Sequence, residues 1–266
     1  MPNVQTHSRA GLLHFPILVL LALGLVLFWA MPVAAQDNGR IELDFDPLSF
    51  SDPLNIDNEL FPLMPNTTYT YLGEGEDGCE WTVTIVTDQT YTVAAGVTAR
   101  VVHDLAYEDE ACDGFSDDEL VEDTYDWFAQ DNAGNVWYLG EDSQDCEGAG
   151  NCVPSEGSWE AGVDGAIAGI QMLHEPRAGN RYYQEFYEDY AEDQAKVDRT
   201  DLWLSLRESE VFDHDLHGCI RTKEWTQLEP GEVEHKFYCP DVGLVLVEEL
   251  KGKTLRVELV GLSPAP

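Results

Sequence analysis

Two histidines and two aspartates lie within five residues, in the order Asp213-His214-Asp215-Leu216-His217. Imidazole and carboxylate groups at this spacing can reach one transition-metal ion, and a flanking carboxylate can orient a ligating imidazole. His235, on a neighbouring predicted strand, could supply a further ligand. The alternative is a polar loop whose histidines are simply exposed. The candidate metal ligands are therefore Asp213, His214, Asp215, His217 and His235.

Carboxylates offer a second possible chemistry. Residues 41–176 contain 31 Asp and Glu but a single basic residue, Arg100, and the candidate calcium ligands are the acids between residues 104 and 126. Ca²⁺ takes about six to eight oxygen ligands, so loops in this segment could bind it. No complete calcium-loop motif is present, and a solvated acidic surface, as suits a protein kept soluble in salt, is the alternative.

Signals for catalysis are weak. The sequence has no Gly-x-Ser-x-Gly elbow and no phosphate-binding loop. Paired carboxylates could hydrolyse glycosides, but acids are so abundant that their presence does not discriminate. We predict no catalytic residue, and an unrecognised hydrolase remains an alternative.

Tryptophans on predicted strands form a candidate ligand surface. Trp127, Trp137, Trp203 and Trp225 could line a curved sheet that binds a sugar or an apolar ligand. Large aromatic side chains are also common core residues, so a filled core is the alternative.

All six cysteines follow residue 78, and an even number in an exported chain predicts three disulfides. Proximity favours the pairs Cys79–Cys112, Cys146–Cys152 and Cys219–Cys239. If the turn at residues 229–232 sets the register, Cys219 lies three residues away from the position opposite Cys239, and a bulge or a loose strand end is required. A zinc site is the alternative, but no Cys-x-x-Cys occurs.

The first 35 residues resemble a secretory signal peptide. They contain no acid and only Arg9 as a basic residue, and an apolar run over residues 17–30 precedes Val33-Ala34-Ala35. Small residues at these positions favour cleavage before Gln36. An uncleaved membrane anchor is the alternative, because residues 12–35 are long enough to span a bilayer.

Composition excludes some partners. The net charge is −37, and −38 for residues 36–266, so nucleic acid and anionic membrane surfaces would repel the chain. With 44% hydrophobic and 11% aromatic residues, the chain can still build a core.

Runs rich in Thr, Val, Tyr and Trp, separated by Gly, Asp and Asn, begin at Thr67. They predict an all-β, antiparallel domain over residues 66–266, built as a strongly curved sheet, barrel or sandwich. Residues 36–65 are interrupted by prolines and predict an extended acidic arm. The predicted strands are 67–72, 80–87, 97–107, 119–130, 135–141, 181–188, 192–198, 201–207, 219–227, 233–239, 243–249 and 254–260.

Three hairpins are predicted. One turns at residues 131–134, where Gly134 can adopt a left-handed conformation, one at Asp88-Gln89, and one around Pro230-Gly231. Residues 142–169 are rich in glycine and predict a long, partly irregular crossover.

Several segments resemble a family of uncharacterised exported bacterial proteins. The longest is DTYDWFAQDNAGNVWYLGE at residues 123–141, and shorter ones are GSWEAGVDGA at 157–166 and TKEWT at 222–226. Further similar segments lie at residues 61–71 and 243–249. The resemblance implies export and a β-rich fold, and it implies no chemistry.

The sequence therefore predicts an exported, non-catalytic acidic β protein that binds a ligand or associates with the cell envelope. The alternatives are a protein that binds Ca²⁺ or a transition metal and an unrecognised hydrolase. The ligand and the oligomeric state do not follow from the sequence.

Overall fold

The fold is described by a computed structural model that covers residues 40–75, 78–209, 211–212, 215–250 and 255–264. The predicted signal peptide and the candidate ligands Asp213 and His214 lie outside the described residues. Within these ranges the regular structure is strand apart from two short 3-10 helices, at Pro47–Ser49 and Asp117–Glu119. No helix in the described part of the chain is long and apolar enough to cross a membrane.

Fifteen strands are present, in agreement with the predicted all-β class. They are β1 Thr67–Glu74, β2 Cys79–Thr92, β3 Thr98–Asp109, β4 Leu120–Gln130, β5 Val136–Cys146, β6 Cys152–Pro154, β7 Trp159–Glu160, β8 Ile167–Met172, β9 Arg181–Tyr183, β10 Glu185–Phe186, β11 Gln194–Leu204, β12 Leu216–Trp225, β13 Glu234–Cys239, β14 Gly243–Glu249 and β15 Leu255–Pro264.

Side-chain alternation explains where the core forms. On β1, Tyr69 and Tyr71 are buried while the threonines beside them are only half-buried, as period two requires. On β5 both faces are buried: Tyr138 belongs to one apolar cluster and Trp137 to another. The sheet therefore has a core inside its curve and a second core on the outer face of β5.

The strands form one antiparallel sheet that is nearly closed into a barrel. Its order is β10-β8-β5-β4-β3-β2-β1-β15-β14-β13-β12-β11-β9, and β6 and β7 also pair with β5. The two edges are joined by the chain itself, because β9 pairs with β11 and β10, one residue later, pairs with β8. We call residues 181–186 the seam.

The predicted hairpin at residues 131–134 is confirmed, with Gly134 at a φ of +86°. The predicted turn at Asp88-Gln89 is wrong. β2 continues to Thr92 past a register shift after Val86, and the chain turns at residues 93–97 instead. The polar pair at 88–89 lies at that irregularity rather than at the strand end.

Two other predicted boundaries are wrong. The predicted strands 192–198 and 201–207 are replaced by one bulged strand, β11 (Gln194–Leu204), in which Asp201 has a positive φ of 57°. Residues 142–169 are not only a crossover, because they contain the end of β5, then β6 and β7, and the start of β8. The short strands β6 and β7 could not be predicted, because their segment is rich in glycine and polar residues and shows no strand pattern.

The described part of the predicted arm packs against one end of the sheet. Ile56, Leu60 and Leu63 are buried in the inner core. Asn58 donates a hydrogen bond to the carbonyl oxygen of Gly134 at 2.9 Å, and the Glu59 carbonyl accepts from the Asp241 amide at 2.8 Å. This segment therefore bridges two hairpin turns across the sheet.

All three predicted disulfides are confirmed: Cys79–Cys112, Cys146–Cys152 and Cys219–Cys239. The predicted register problem at Cys219 is corrected by the structure. Ile220 pairs with Tyr238, which places Cys219 directly opposite Cys239, with Cα atoms 4.1 Å apart. The connection after β12 is longer than a four-residue turn, so no bulge is needed.

Candidate functional site

The described members of the predicted metal set lie in different places. The Asp215 carboxylate accepts a hydrogen bond from the Ser205 hydroxyl. His217, near the start of β12, contacts the ring of Trp203 at a centroid distance of 3.8 Å. His235 is the second residue of β13 and lies directly opposite Lys223.

The structure does not bring His217 and His235 together. His217 and Lys223 are six residues apart on β12, which corresponds to about 20 Å along a strand. Burial, together with nearby Arg221, lowers the pKa of His235. No group of three metal-ligating side chains converges among the described residues. A metal site that uses Asp213 and His214 stays a prediction.

Several acids proposed as calcium ligands have other partners. Asp109 accepts hydrogen bonds from the amides of Ala111 and Gly114, at 3.0 and 2.9 Å. Asp123 lies 2.7 Å from the imidazole of His103. These contacts order the loop after β3 and the β3–β4 pair. Calcium binding by the remaining acids stays a prediction.

The four candidate tryptophans do not share one surface. Trp137 is only 3% exposed, and its indole nitrogen donates to Asp131 at 2.9 Å. Trp127 stacks on Tyr91 with ring centroids 4.3 Å apart, and Trp203 is 73% exposed beside His217. Trp225 lies near the guanidinium of Arg181, at 5.0 Å. Binding by any of them stays a prediction.

A cavity of about 230 Å³ lies inside the curved sheet. Its walls come from strands β1 to β5, β8, β13 and β14 and combine aromatic, aliphatic and polar side chains. The segment that packs across the end of the sheet contributes residues 61–63. The aromatic wall residues are Phe61, Tyr69, Tyr71, Phe128, Tyr138 and Tyr238.

Polar side chains interrupt this aromatic wall. Asp104 on β3 accepts a hydrogen bond from the hydroxyl of Thr84, and Asp126 on β4 contacts the hydroxyl of Tyr138. The Tyr138 hydroxyl also lies 2.6 Å from a carboxyl oxygen of Glu141. A phenol has one proton, so it can donate to only one of these carboxyls. The other contact then requires a protonated carboxyl that donates to the phenol oxygen.

Electrostatics favours protons at these acids. Burial raises the pKa of Asp104 to about 6, although the hydrogen bond from Thr84 opposes the shift. Burial also raises the pKa of Glu141 to about 7, against the effect of the Tyr138 hydroxyl. Burial and repulsion by Asp104 and Glu141 raise the pKa of Asp126 well above its usual range. Asp104 still keeps some accessible surface, because it lines the cavity.

A second acidic chamber, of about 240 Å³, adjoins the cavity, and Lys236 lines both. The Lys236 ammonium lies 3.0 Å from Glu224 and 3.3 Å from Glu234. Burial acts to lower the pKa of Lys236, but these carboxylates hold it well above its usual value. Lys236 therefore places a fixed positive charge between two sets of carboxyls.

Further buried acid lies at the seam. Glu185 accepts a hydrogen bond from the indole of Trp159 at 2.6 Å. Burial and repulsion by Glu141 raise the pKa of Glu185 well above its ordinary value. The interior thus contains carboxyls from at least five strands: β3, β4, β5, β10 and β12.

Sequence analysis did not identify this interior site. Asp104 and Asp126 fall within the segment considered for calcium, but they were not separated from the exposed acids around them. A usable signal was present: each lies at an inward position of its strand, two residues from the buried residues Val102 and Phe128. Lys236 has the same signal, because it lies two residues from the buried Tyr238 on β13, whereas Glu141 and Glu224 have none that is comparable.

No family model matches the chain, and no curated protein matches it significantly. Two solved structures are similar over 77% of this chain and 99% of their own. One is a "putative exported protein with YmcC-like fold" from Bacteroides fragilis, 13% identical with a TM-score of 0.38. The other is a "putative lipoprotein" from Parabacteroides distasonis, 10% identical with a TM-score of 0.39. Similarity at this level says nothing of this chain's activity, and the predicted family resemblance stays a prediction.

Proposed function

We propose that this protein is exported and binds a small polar ligand in the interior cavity, without catalysing a reaction. The observation that carries the proposal is the cavity of about 230 Å³, whose aromatic walls are interrupted by Asp104, Asp126 and Lys236. Ligand sites commonly combine apolar and aromatic walls with a few convergent polar groups that fix orientation. This cavity has that composition.

The lining favours a ligand with hydroxyl or amine groups. Protonated carboxyls can donate hydrogen bonds and ionised ones can accept them, so Asp104 and Asp126 can serve both roles near neutral pH. An additional anion would be repelled by the same acids. The cavity is smaller than the roughly 300–1,000 Å³ of drug-sized sites, which favours a ligand of about monosaccharide size.

Export is supported by the pairing of all six cysteines, because disulfides persist mainly in oxidising compartments. The signal peptide predicted for residues 1–35 points the same way. An exported binding protein of this kind acts in the periplasm, at the cell envelope or outside the cell.

The test is thermal unfolding with glucose, glucosamine and N-acetylglucosamine as probes. We expect at least one probe to raise the unfolding midpoint in a concentration-dependent way, because a ligand that binds only the folded state stabilises it. Asp126→Asn should abolish this shift. Asp142→Asn, an exposed acid next to Glu141, is the matched control and should retain it.

Unchanged midpoints with all three probes, or equal shifts in Asp126→Asn and the parent protein, would argue against the cavity as the site. If Asp126→Asn does not fold by circular dichroism, Asp104→Asn takes its place.

A hydrolase is the second candidate, because Asp104 and Asp126 form a buried carboxyl pair with raised pKa values beside a cavity. Such pairs can divide acid and base roles. Release of p-nitrophenol from aryl glycosides by the parent protein, lost in Asp126→Asn but kept in Asp142→Asn, would replace the non-catalytic proposal. We expect no such release.

A further inference from the structure

Three cations lie in a row across the outer face of the sheet. Lys196 on β11 is directly opposite Arg181 on β9 and Lys223 on β12. Directly opposed residues of antiparallel strands project from the same face. Arg40 adjoins the row through a bridge to Arg181. We call these four residues the cation strip; both lysines in it are exposed.

Two guanidinium groups of the strip meet at one neutral acceptor. The side-chain oxygen of Gln194 accepts from Arg40 at 3.0 Å and from Arg181 at 2.6 Å. Gln194 is fully buried, and its amide nitrogen has no hydrogen-bond partner. The neutral amide of Gln194 thus holds the two positively charged guanidinium groups close together.

No carboxylate of the described residues lies within 4.0 Å of a strip cation. Some described arginines elsewhere do pair with acids: Arg221 pairs with Asp198, and Arg256 lies 2.9 Å from Glu248. In a chain with 51 acids and 14 bases, these cations have no direct carboxylate partner among the described residues, although Asp198 acts on Lys196 through space. An external anion would supply the missing charge.

Aromatic rings lie on the same face as the strip. The Arg40 guanidinium is 4.0 Å from the ring centroid of Tyr183, and Arg181 is 5.0 Å from that of Trp225. A pocket of about 530 Å³ adjoins the strip and is lined by Trp225, Lys196, Lys223, Thr226, Gln227 and Glu232. Indole rings provide flat apolar surface on which a sugar ring can stack.

We infer that the cation strip binds an acidic oligosaccharide that carries one carboxylate on each sugar ring. Guanidinium forks match the two oxygens of a carboxylate, and the lysines add point charges. Neighbouring strands are about 4.8 Å apart, so the row presents one cation at each such step. A uronate chain presents carboxylates at comparable intervals. This site is separate from the interior cavity and does not depend on ligand binding there.

Nucleic acid fits the strip poorly. Duplex DNA carries one negative charge per about 1.7 Å of its axis, far denser than one cation per about 4.8 Å. The excess charge would face a protein whose net charge is −37. A polymer with one charge on each sugar ring carries less excess negative charge, so repulsion by the acidic protein weakens its binding less.

The experiment is isothermal titration calorimetry of the purified protein with tetragalacturonate, at an ionic strength of about 0.15 M. Maltotetraose serves as the neutral probe and a short duplex DNA as the dense polyanion. We expect saturable binding of the uronate alone. Lys196→Gln and Lys223→Gln should each weaken it by about tenfold, since each removes a charge-assisted contact.

Arg177→Gln is the control, because Arg177 is exposed, lies off the strip and pairs with Glu175 at 3.1 Å. It should bind as the parent does. The inference is overturned if tetragalacturonate does not bind, if Arg177→Gln weakens binding as much as the lysine variants, or if maltotetraose or DNA binds as tightly. Unchanged unfolding midpoints in the lysine variants confirm that they are folded.

Discussion

Tyr138 shows how single residues set the character of the interior. Its hydroxyl contacts both Asp126 and Glu141, yet it has only one proton to donate. The Tyr138 hydroxyl therefore donates to one of the two carboxyls, and the other carboxyl must be protonated and donate to the phenol oxygen. This is the residue-level reason why a strongly acidic chain can tolerate carboxyls inside its sheet.

Gly169 is the residue on which closure of the sheet depends most. A Cβ atom built there would lie 1.9 Å from the carbonyl oxygen of Gln184, in the seam. Gly169→Ala should lower the free energy of unfolding by more than about 2 kcal/mol, because backbone would have to move. Gly157→Ala is the control, since its Cβ would meet nothing closer than 3.8 Å. Urea unfolding measures both, and equal stabilities would contradict the described seam.

At the scale of elements, sequence patterns predict most strands and name a barrel among three architectures, but they do not show which strands close the sheet. The hairpin at residues 131–134 has a local turn signal, and the alternation of β1 is local too, so both were predictable. The seam depends on two short strands, β9 and β10, that pair with strands far apart in the sheet. Neither strand is long enough to show a period, and register across the sheet has no local signal.

The interior site was unpredictable for the same reason. Asp104, Asp126 and Lys236 meet only because β3, β4 and β13 curve around one cavity. Strand alternation can place Asp104 and Asp126 facing inward, but without the register the sequence does not show that they meet Lys236 at one cavity. The cation strip likewise appears only when Arg181, Lys196 and Lys223 are aligned across three strands.

The three disulfides should differ in their contribution to stability. Their cysteines are 33, 20 and 6 residues apart, for Cys79–Cys112, Cys219–Cys239 and Cys146–Cys152 respectively. In the chain-entropy model these loops correspond to about 3.5, 3 and 2 kcal/mol. Paired Cys→Ala replacements should therefore lower the urea midpoint least for Cys146–Cys152. The reverse order would show that local strain or residual structure, rather than loop length, dominates.

For the molecule as a whole, charge is divided between inside and outside. The exposed surface of the described residues carries many acids together with the cation strip, while the interior contains carboxyls with raised pKa values. The ordinary values are 3.8 for Asp104 and 4.5 for Glu141, and burial raises them to about 6 and about 7. The folded state therefore binds protons more tightly than the unfolded chain. The free energy of unfolding should therefore fall as pH rises from about 4 to about 7. Below about pH 4 these two carboxyls should no longer make stability depend on pH, because they are protonated in both the folded and the unfolded state.

The central claim is that the sheet closes around a protected, acid-lined cavity, and carboxyl titration by carbon NMR tests it most directly. Asp104→Asn and Glu141→Gln assign the two resonances by their disappearance, with Asp142→Asn as the exposed control. We predict that Asp104 titrates near pH 6 and Glu141 near pH 7. Titration of both groups below about pH 5, as for carboxyls in water, would contradict the account.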